Sequence, residues 1–200
     1  MQMLDAGVQA TIEFSEASQR IWDVVVIGAG PSGAVAAREC ARGGATVLLV
    51  NEQQLPRGKV CGCCLNGAAL GVLNRVGLGN LAENCQAPRM RRFVLASGQR
   101  QVALPLTAGV SLSRERLDLE LTKAAIHSGV EFLDNTRASI DEPINHCRRV
   151  NLKKSDSQQL ASARIVLNAA GLGRRILSNQ FADQRDTEPG SRIGAGAVLN

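Results

Sequence analysis

The chain has 200 residues, 44% hydrophobic and 20% charged, with a formal net charge of +5; this is the profile of a globular protein long enough to bury roughly 70% of its unfolded surface. No apolar run reaches the ~18–20 residues of a membrane span, and the first twenty residues hold Asp5, Glu13 and Glu16 with no basic start of a secretory leader. The basic doublets Arg91-Arg92, Arg148-Arg149, Lys153-Lys154 and Arg174-Arg175 are scattered, and one Trp, four Phe and no Tyr leave few stacking platforms for bases, so no nucleic-acid partner is expected.

Residues 1–20 read as a flexible extension. Asp23 then opens the apolar run Val24-Val25-Val26-Ile27, followed by Gly28, Ala29, Gly30, Pro31, Ser32 and Gly33, an alanine-rich amphipathic segment, and a second apolar run from Thr46 to Val50. Strand, glycine turn, helix and strand within about thirty residues form the context that makes G-x-G-x-x-G a dinucleotide-binding fingerprint. Gly28 permits the tight turn, Gly30 leaves room for a pyrophosphate against the backbone, and Gly33 lets the helix pack closely on the sheet. The helix start, with Pro31 and Ser32, presents N–H groups and a partial positive charge to phosphates. About 20 residues on, where an acid normally grips the ribose, Asn51 stands at the strand end and Glu52 follows. Either Asn51 accepts from a hydroxyl without the charge assistance of a carboxylate, or Glu52 reaches in from the loop.

Pro56 and Gly58 mark a loop that leads into Cys61-Gly62-Cys63-Cys64. Six cysteines without a leader point to the cytoplasm and reduced thiols. The cysteine run is too crowded for a zinc knuckle, and with only His127 and His146 besides, no metal site is expected. Arg57 and Lys59 beside Cys61 favour its thiolate and make it a candidate catalytic thiol. Equally, Cys61 is a small residue that allows a loop to approach a ligand. Asn66 to Val76 carries Ala69, Leu70, Leu73 and Val76 at helical spacing. Residues 93–95 and 101–106 read as short strands joined at Ser97-Gly98. Ser113 caps a helix with Leu117, Leu121, Ala124 and Ala125 on one face, which Gly129 ends. Residues 130–133 form a strand, and 148–153 with 159–163 a hairpin about Ser155-Asp156-Ser157. Residues 163–169 form a buried strand ending at Ala170-Gly171, a second glycine turn at the edge where ligands bind in open α/β sheets. Residues 180–192 are polar, and 193–200 read as the start of one more strand.

Beyond the fingerprint, the sequence resembles the FAD-dependent enzymes of the p-hydroxybenzoate-hydroxylase-like and geranylgeranyl-reductase type. The resemblance is carried by Gly28, Gly30 and Gly33, and by Leu55-Pro56-Arg57-Gly58-Lys59-Val60-Cys61-Gly62, similar to that family's Pro-Arg-x-Lys-x-Cys-Gly segment. Arg114 with Leu117-Asp118, similar to its R-x-x-(L/F)-D element, and Ala169-Ala170-Gly171, similar to its Ala-Asp-Gly turn, complete it. It implies an α/β fold: a Rossmann-like FAD/NAD(P)-binding domain with a parallel sheet plus a β-hairpin insertion. It also implies FAD as cofactor, held by Gly28, Gly30, Pro31, Ser32, Gly33, Asn51, Glu52, Arg57, Lys59, Cys61, Gly62, Arg114, Ala169 and Gly171. The chain departs from the family at Ala170, where an aspartate is usual, and at Asn51.

The expected organisation is a FAD-binding domain over 21–180 with its ADP-binding βαβ unit at 22–52. A linker and the start of a substrate domain follow over 181–200, the rest of that domain being missing or truncated, since no later Gly-Asp motif occurs. The expected function is a FAD-binding oxidoreductase, monooxygenase-like or geranylgeranyl-reductase-like. Its partners would be a small-molecule substrate of apolar or isoprenoid class and a nicotinamide or other electron donor. The alternatives are a nucleotide-binding remnant without turnover and an NAD-dependent dehydrogenase.

Overall fold

The computed structural model describes residues 7–59, 61, 63–144 and 146–171. The chain divides into two compact units, one built from residues up to Arg57 and from Asp118 onward, the other from Gly58–Leu117. The expected 21–180 domain is thus interrupted by a sixty-residue insertion, and the expected boundary at 180/181 and strand at 193–200 lie outside the described residues.

In the first unit, β1 (Ile21–Ile27), α1 (Pro31–Arg42) and β2 (Val47–Val50) form the anticipated βαβ unit. In the second, β3 (Cys64–Asn66), α2 (Gly67–Arg75), α3 (Leu81–Asn84), β4 (Arg92–Ser97), β5 (Arg100–Pro105) and β6 (Gly109–Ser111) follow. Then α4 (Arg114–His127) leads to β7 (Glu131–Leu133), β8 (Arg137–Ile140), β9 (Arg148–Lys154) and β10 (Ser157–Asn168) of the first unit.

The first unit is a six-stranded sheet ordered β7-β2-β1-β10-β9-β8. β1 runs parallel to β2 and β10, and β2 parallel to β7, whereas β9 is antiparallel to both β10 and β8. Strands buried on both faces read as unbroken apolar runs, which is why Val24–Ile27 and Val47–Val50 carry no alternation. One face packs Val24, Val26, Val47 and Leu49 with Ala37 of α1 and Leu119 and Ala125 of α4. The other packs Trp22, Val25, Ile27, Leu48 and Val50 with Leu152, Ala161 and Ala163. Asp23 and Val24 both donate to Thr46 O at 3.1 Å, a bulge that shifts the alternation of β1.

Three expectations change here. The hairpin arm at 159–163 and the strand at 163–169 are a single twelve-residue strand, β10, whose first half pairs with β9 and second half with β1. Its second half is not fully buried, for Ile165 is 55% exposed. The segment expected to be a flexible extension is anchored from Val8 on. Thr11 N–H donates to Phe132 O (3.0 Å), Phe132 N–H donates to Thr11 Oγ1 (2.7 Å), and Trp22 Nε1 donates to Ala17 O of the 3-10 helix Phe14–Ser18 (2.9 Å). Ala17 is completely buried because the indole needs a buried acceptor and that turn supplies it.

In the second unit, β3 pairs with β6 and β4 with β5, both antiparallel. Asn66 caps α2 by accepting from Ala69 N–H at 2.9 Å, and of the four apolar positions read on this helix only Leu73 is buried. Every residue of the β4–β5 hairpin is exposed, Phe93, Leu95 and Val102 by about half.

Candidate functional site

Parallel pairing brings the carboxyl ends of β1, β2, β7 and β10 to one edge of the sheet. β1 has α1 leading to β2 on one side and β10 on the other, so a crevice opens beyond β1 where the connections diverge. Gly28 occupies that point with φ +104, and its N–H donates to Val50 O at 2.8 Å. A Cβ on Gly28 would stand 2.6 Å from Ala169 O and 2.9 Å from Ala170 Cα; a Cβ on Gly33 would stand 1.8 Å from Gly28 O and 3.1 Å from Ala169 Cβ. Ala169 N–H in turn donates to Ile27 O at 2.8 Å. The fingerprint turn, the start of α1 and the end of β10 are therefore interlocked backbone to backbone, and glycine is what the first two require.

Gly30 is the N-cap of α1 in extended conformation, and Pro31 fills N1, where a missing N–H costs nothing. The first intrahelical bond runs from Ala34 N–H to Gly30 O at 2.9 Å. The N–H groups of Ser32 and Gly33 therefore point out of the helix end, adding to the partial positive charge of a twelve-residue helix. Such a cradle fits the pyrophosphate of a dinucleotide.

Asn51, at the end of β2, is 4% exposed. Its Oδ1 accepts from Ala29 N–H (3.1 Å) and its Nδ2 donates to Gln53 O (2.6 Å), which staples the glycine turn to the following loop. An amide can do both and a carboxylate cannot, which accounts for asparagine at this position. Glu52 lies beside it, its Oε1 taken by Arg137 Nη2 at 3.2 Å. Arg57 donates from Nη1 to Gln53 Oε1 (3.4 Å), while its buried Nε has no hydrogen-bond partner among the described residues. That orphaned donor is suited to an anionic group. Asp134 at the end of β7, 6% exposed and paired with Lys154 Nζ at 3.3 Å, was not marked by any sequence pattern; its place just past a short apolar strand was the one available signal.

The structure thus gathers Gly28, Gly30, Pro31, Ser32, Gly33, Asn51 and Ala169 at one edge, with Gly171 following β10 at φ +82. Lys59, Cys61 and Arg114 belong to the second unit, where Lys59 and Cys61 are exposed and Arg114 opens α4 after the cap Ser113, whose Oγ accepts from Arg116 N–H at 3.2 Å. Gly62 lies outside the described residues. At the opposite edge, Asp23 accepts from Thr46 N–H (2.9 Å), Thr46 Oγ1 (2.8 Å) and Arg164 Nη1 (2.9 Å). The Thr46 hydrogen bonds, with Arg164 a lesser cause, hold its carboxyl below the usual aspartate range. Among the described residues no group of His, Cys, Asp or Glu converges to hold a metal ion, and no helix is long and apolar enough to cross a membrane.

A parallel sheet with an interlocked glycine turn and a helix start at its switch point defines a dinucleotide-binding protein of the Rossmann-like class. The model of one family, described as FAD dependent oxidoreductase, matches residues 23–177, and the chain belongs to that family. It is 30% identical over 161 residues to a menaquinone reductase of Mycobacterium tuberculosis, covering 77% of this chain and 40% of that protein. It is 32% identical over 158 residues to a digeranylgeranylglycerophospholipid reductase of Methanopyrus kandleri, covering 78% and 39%. Among solved structures, the fold matches a myxobacterial FAD-dependent chondrochloren halogenase with TM-score 0.70 at 22% identity, over 80% of this chain and 39% of that one. It matches a geranylgeranyl bacteriochlorophyll reductase-like protein of Thermoplasma acidophilum with TM-score 0.65 at 21% identity, over 76% and 40%. The chain spans about two fifths of the length of these curated relatives.

Proposed function

We propose that this chain seats the pyrophosphate of FAD over the Gly28–Gly33 turn and serves an oxidoreductase acting on an apolar, isoprenoid-class substrate, with a nicotinamide or another electron donor. The observation that carries the proposal is the lack of room at Gly33 for any side chain, since a Cβ there would stand 1.8 Å from Gly28 O and 3.1 Å from Ala169 Cβ, which sets the helix start close against the switch point. The substrate class is supported by the likeness to reductases of digeranylgeranylglycerophospholipid.

When bound, FAD supplies the two-electron chemistry; the protein supplies binding and electrostatics. The N–H groups of Ser32 and Gly33 counter phosphate charge at the end of α1. Gly30 leaves the phosphate oxygens access to the backbone. Arg57 offers a cation with an unused donor. Asn51 acts as a positioning residue, holding Ala29 and hence the turn in place.

The test is titration of nucleotide-stripped protein with FAD and with NAD, followed by calorimetry. Tighter binding of FAD is expected, and tighter binding of NAD overturns the assignment. For the substrate, protein carrying reduced flavin is mixed anaerobically with a polyprenyl lipid. Reoxidation faster than that of unbound reduced flavin supports the proposed class, and an equal rate refutes it.

A further inference from the structure

Three of the six cysteines fall within Cys61–Cys64, and the proposed nucleotide chemistry uses none of their sulfurs. Cys61 and Cys64 are exposed and Cys63 is half-buried, and none of the described cysteines is bridged. Exposure argues against a packing role, since a cysteine kept for packing is a small buried hydrophobe. A soft-metal site is not formed either, because no three ligating side chains converge among the described residues.

What the backbone does here is specific. Cys63 takes φ +51, a left-handed conformation rare for a residue with a side chain. That fold-back directs Cys63 N–H to Cys61 Sγ at 3.3 Å and brings Cys63 Sγ to 3.8 Å from Cys61 O. Each sulfur therefore lies against the other residue's backbone, and an N–H donor faces the sulfur of Cys61. Cys64, by contrast, is committed to β3, where it pairs with Ser111 of β6.

We propose that Cys61 and Cys63 are a redox-active dithiol, oxidised reversibly to an intramolecular disulfide by small-molecule disulfides. The Cys61 thiolate attacks one sulfur of the small disulfide. The S–S bond breaks, and one half leaves as a thiolate that takes a proton. The Cys63 thiolate then attacks the Cys61 sulfur of the mixed disulfide and expels the second half. Two electrons and two protons pass from the protein to the small disulfide, which leaves as two thiols. A bridge across so short a segment is strained, and strained, exposed disulfides have the higher potentials of labile, regulatory pairs.

The experiment equilibrates the full chain in buffers of reduced and oxidised glutathione, traps thiols by alkylation, and maps the peptide carrying residues 61–64 by mass spectrometry. Expected is a species that has lost two hydrogens and keeps one alkylatable thiol, at Cys64, restored by reduction. Cys64→Ser should still form the bridge, whereas Cys63→Ser should stop at the mixed disulfide on Cys61, and Cys61→Ser, lacking the attacking sulfur, should form no bridge. The wild-type map needs no variant to fold. A bridge between Cys61 and Cys64, or three thiols that remain alkylatable or carry only mixed disulfides, overturns the proposal.

Discussion

Gly33→Ala is the sharpest probe of the interlocked turn. The new methyl would stand 1.8 Å from Gly28 O and 3.1 Å from Ala169 Cβ, where ordinary contact needs about 3.5 Å. Neither neighbour can yield alone. The carbonyl belongs to the turn itself, and Ala169 is held by its bond to Ile27 O. The first turn of α1 must therefore retreat by more than about an ångström. A clash this deep falls at the upper end of the roughly 1–3 kcal/mol that overpacking costs, and about 1 kcal/mol of better helix propensity for alanine leaves a net loss of about 1–2 kcal/mol. With a urea slope of about 2 kcal/mol/M, the midpoint should fall by roughly 0.5–1 M. The retreat also withdraws two N–H groups from the phosphates, each charge-assisted bond being worth about 1.5–3 kcal/mol, so FAD affinity should fall by roughly two orders of magnitude or more. Gly30→Val is the control. Gly30 has φ −81 in extended backbone, which valine adopts readily, so the midpoint should fall only by what the N-cap preference for glycine over valine is worth, about 1 kcal/mol or less, while affinity falls comparably. Urea melts and flavin-fluorescence titrations read both quantities. A Gly33→Ala chain with unchanged midpoint and affinity refutes the interlock, and a Gly30→Val chain with full affinity removes the turn from the phosphate site.

Asn51→Asp should lower stability by about 1–3 kcal/mol, because a buried carboxylate replaces the Nδ2 donor and faces Gln53 O; a thermal melt unchanged from wild type would show that the staple contributes nothing. The pH dependence of the urea midpoint should carry the signature of Asp23. Its carboxyl titrates below the unfolded value in the folded chain, so its stabilisation is full above that value, near pH 4, and is lost as the pH falls through the lower folded one. Asp23→Asn should flatten that acid limb, and an identical limb in the variant would assign acid sensitivity to other groups.

The βαβ unit was legible because each part speaks for itself: unbroken apolar strands, glycines at fixed offsets, and Ala37 at a position that proves fully buried against the sheet. β10 was misread as two pieces because its composition changes where its partner changes, from the polar Ser157–Ser162 stretch beside β9 to the apolar stretch beside β1. α4 shows more than a stripe. Leu119, Asp118 and Thr122 are buried along with Leu117, Leu121 and Ala125, and a periodicity count sees a single face only. The role of Asn51 depends on an N–H twenty-two positions upstream, and no local pattern announces such a partner. Burial of Ala17 and the docking of Thr11 on Phe132 are likewise long-range, so the first residues read as loose polar chain.

The seat that Ala169 and Ala170 provide for Gly28 has a consequence in time. β10 pairs with β1 across 141 positions of sequence. At synthesis rates of about 5–20 residues per second, β1, α1 and β2 leave the ribosome on the order of ten seconds before their neighbour exists. During that interval the glycine turn has an open flank, and nothing holds Gly33 against it from the far side. A nucleotide meeting the nascent chain would find the turn stapled by Asn51 but not yet backed by Ala169, so tight cofactor capture should follow the docking of β10.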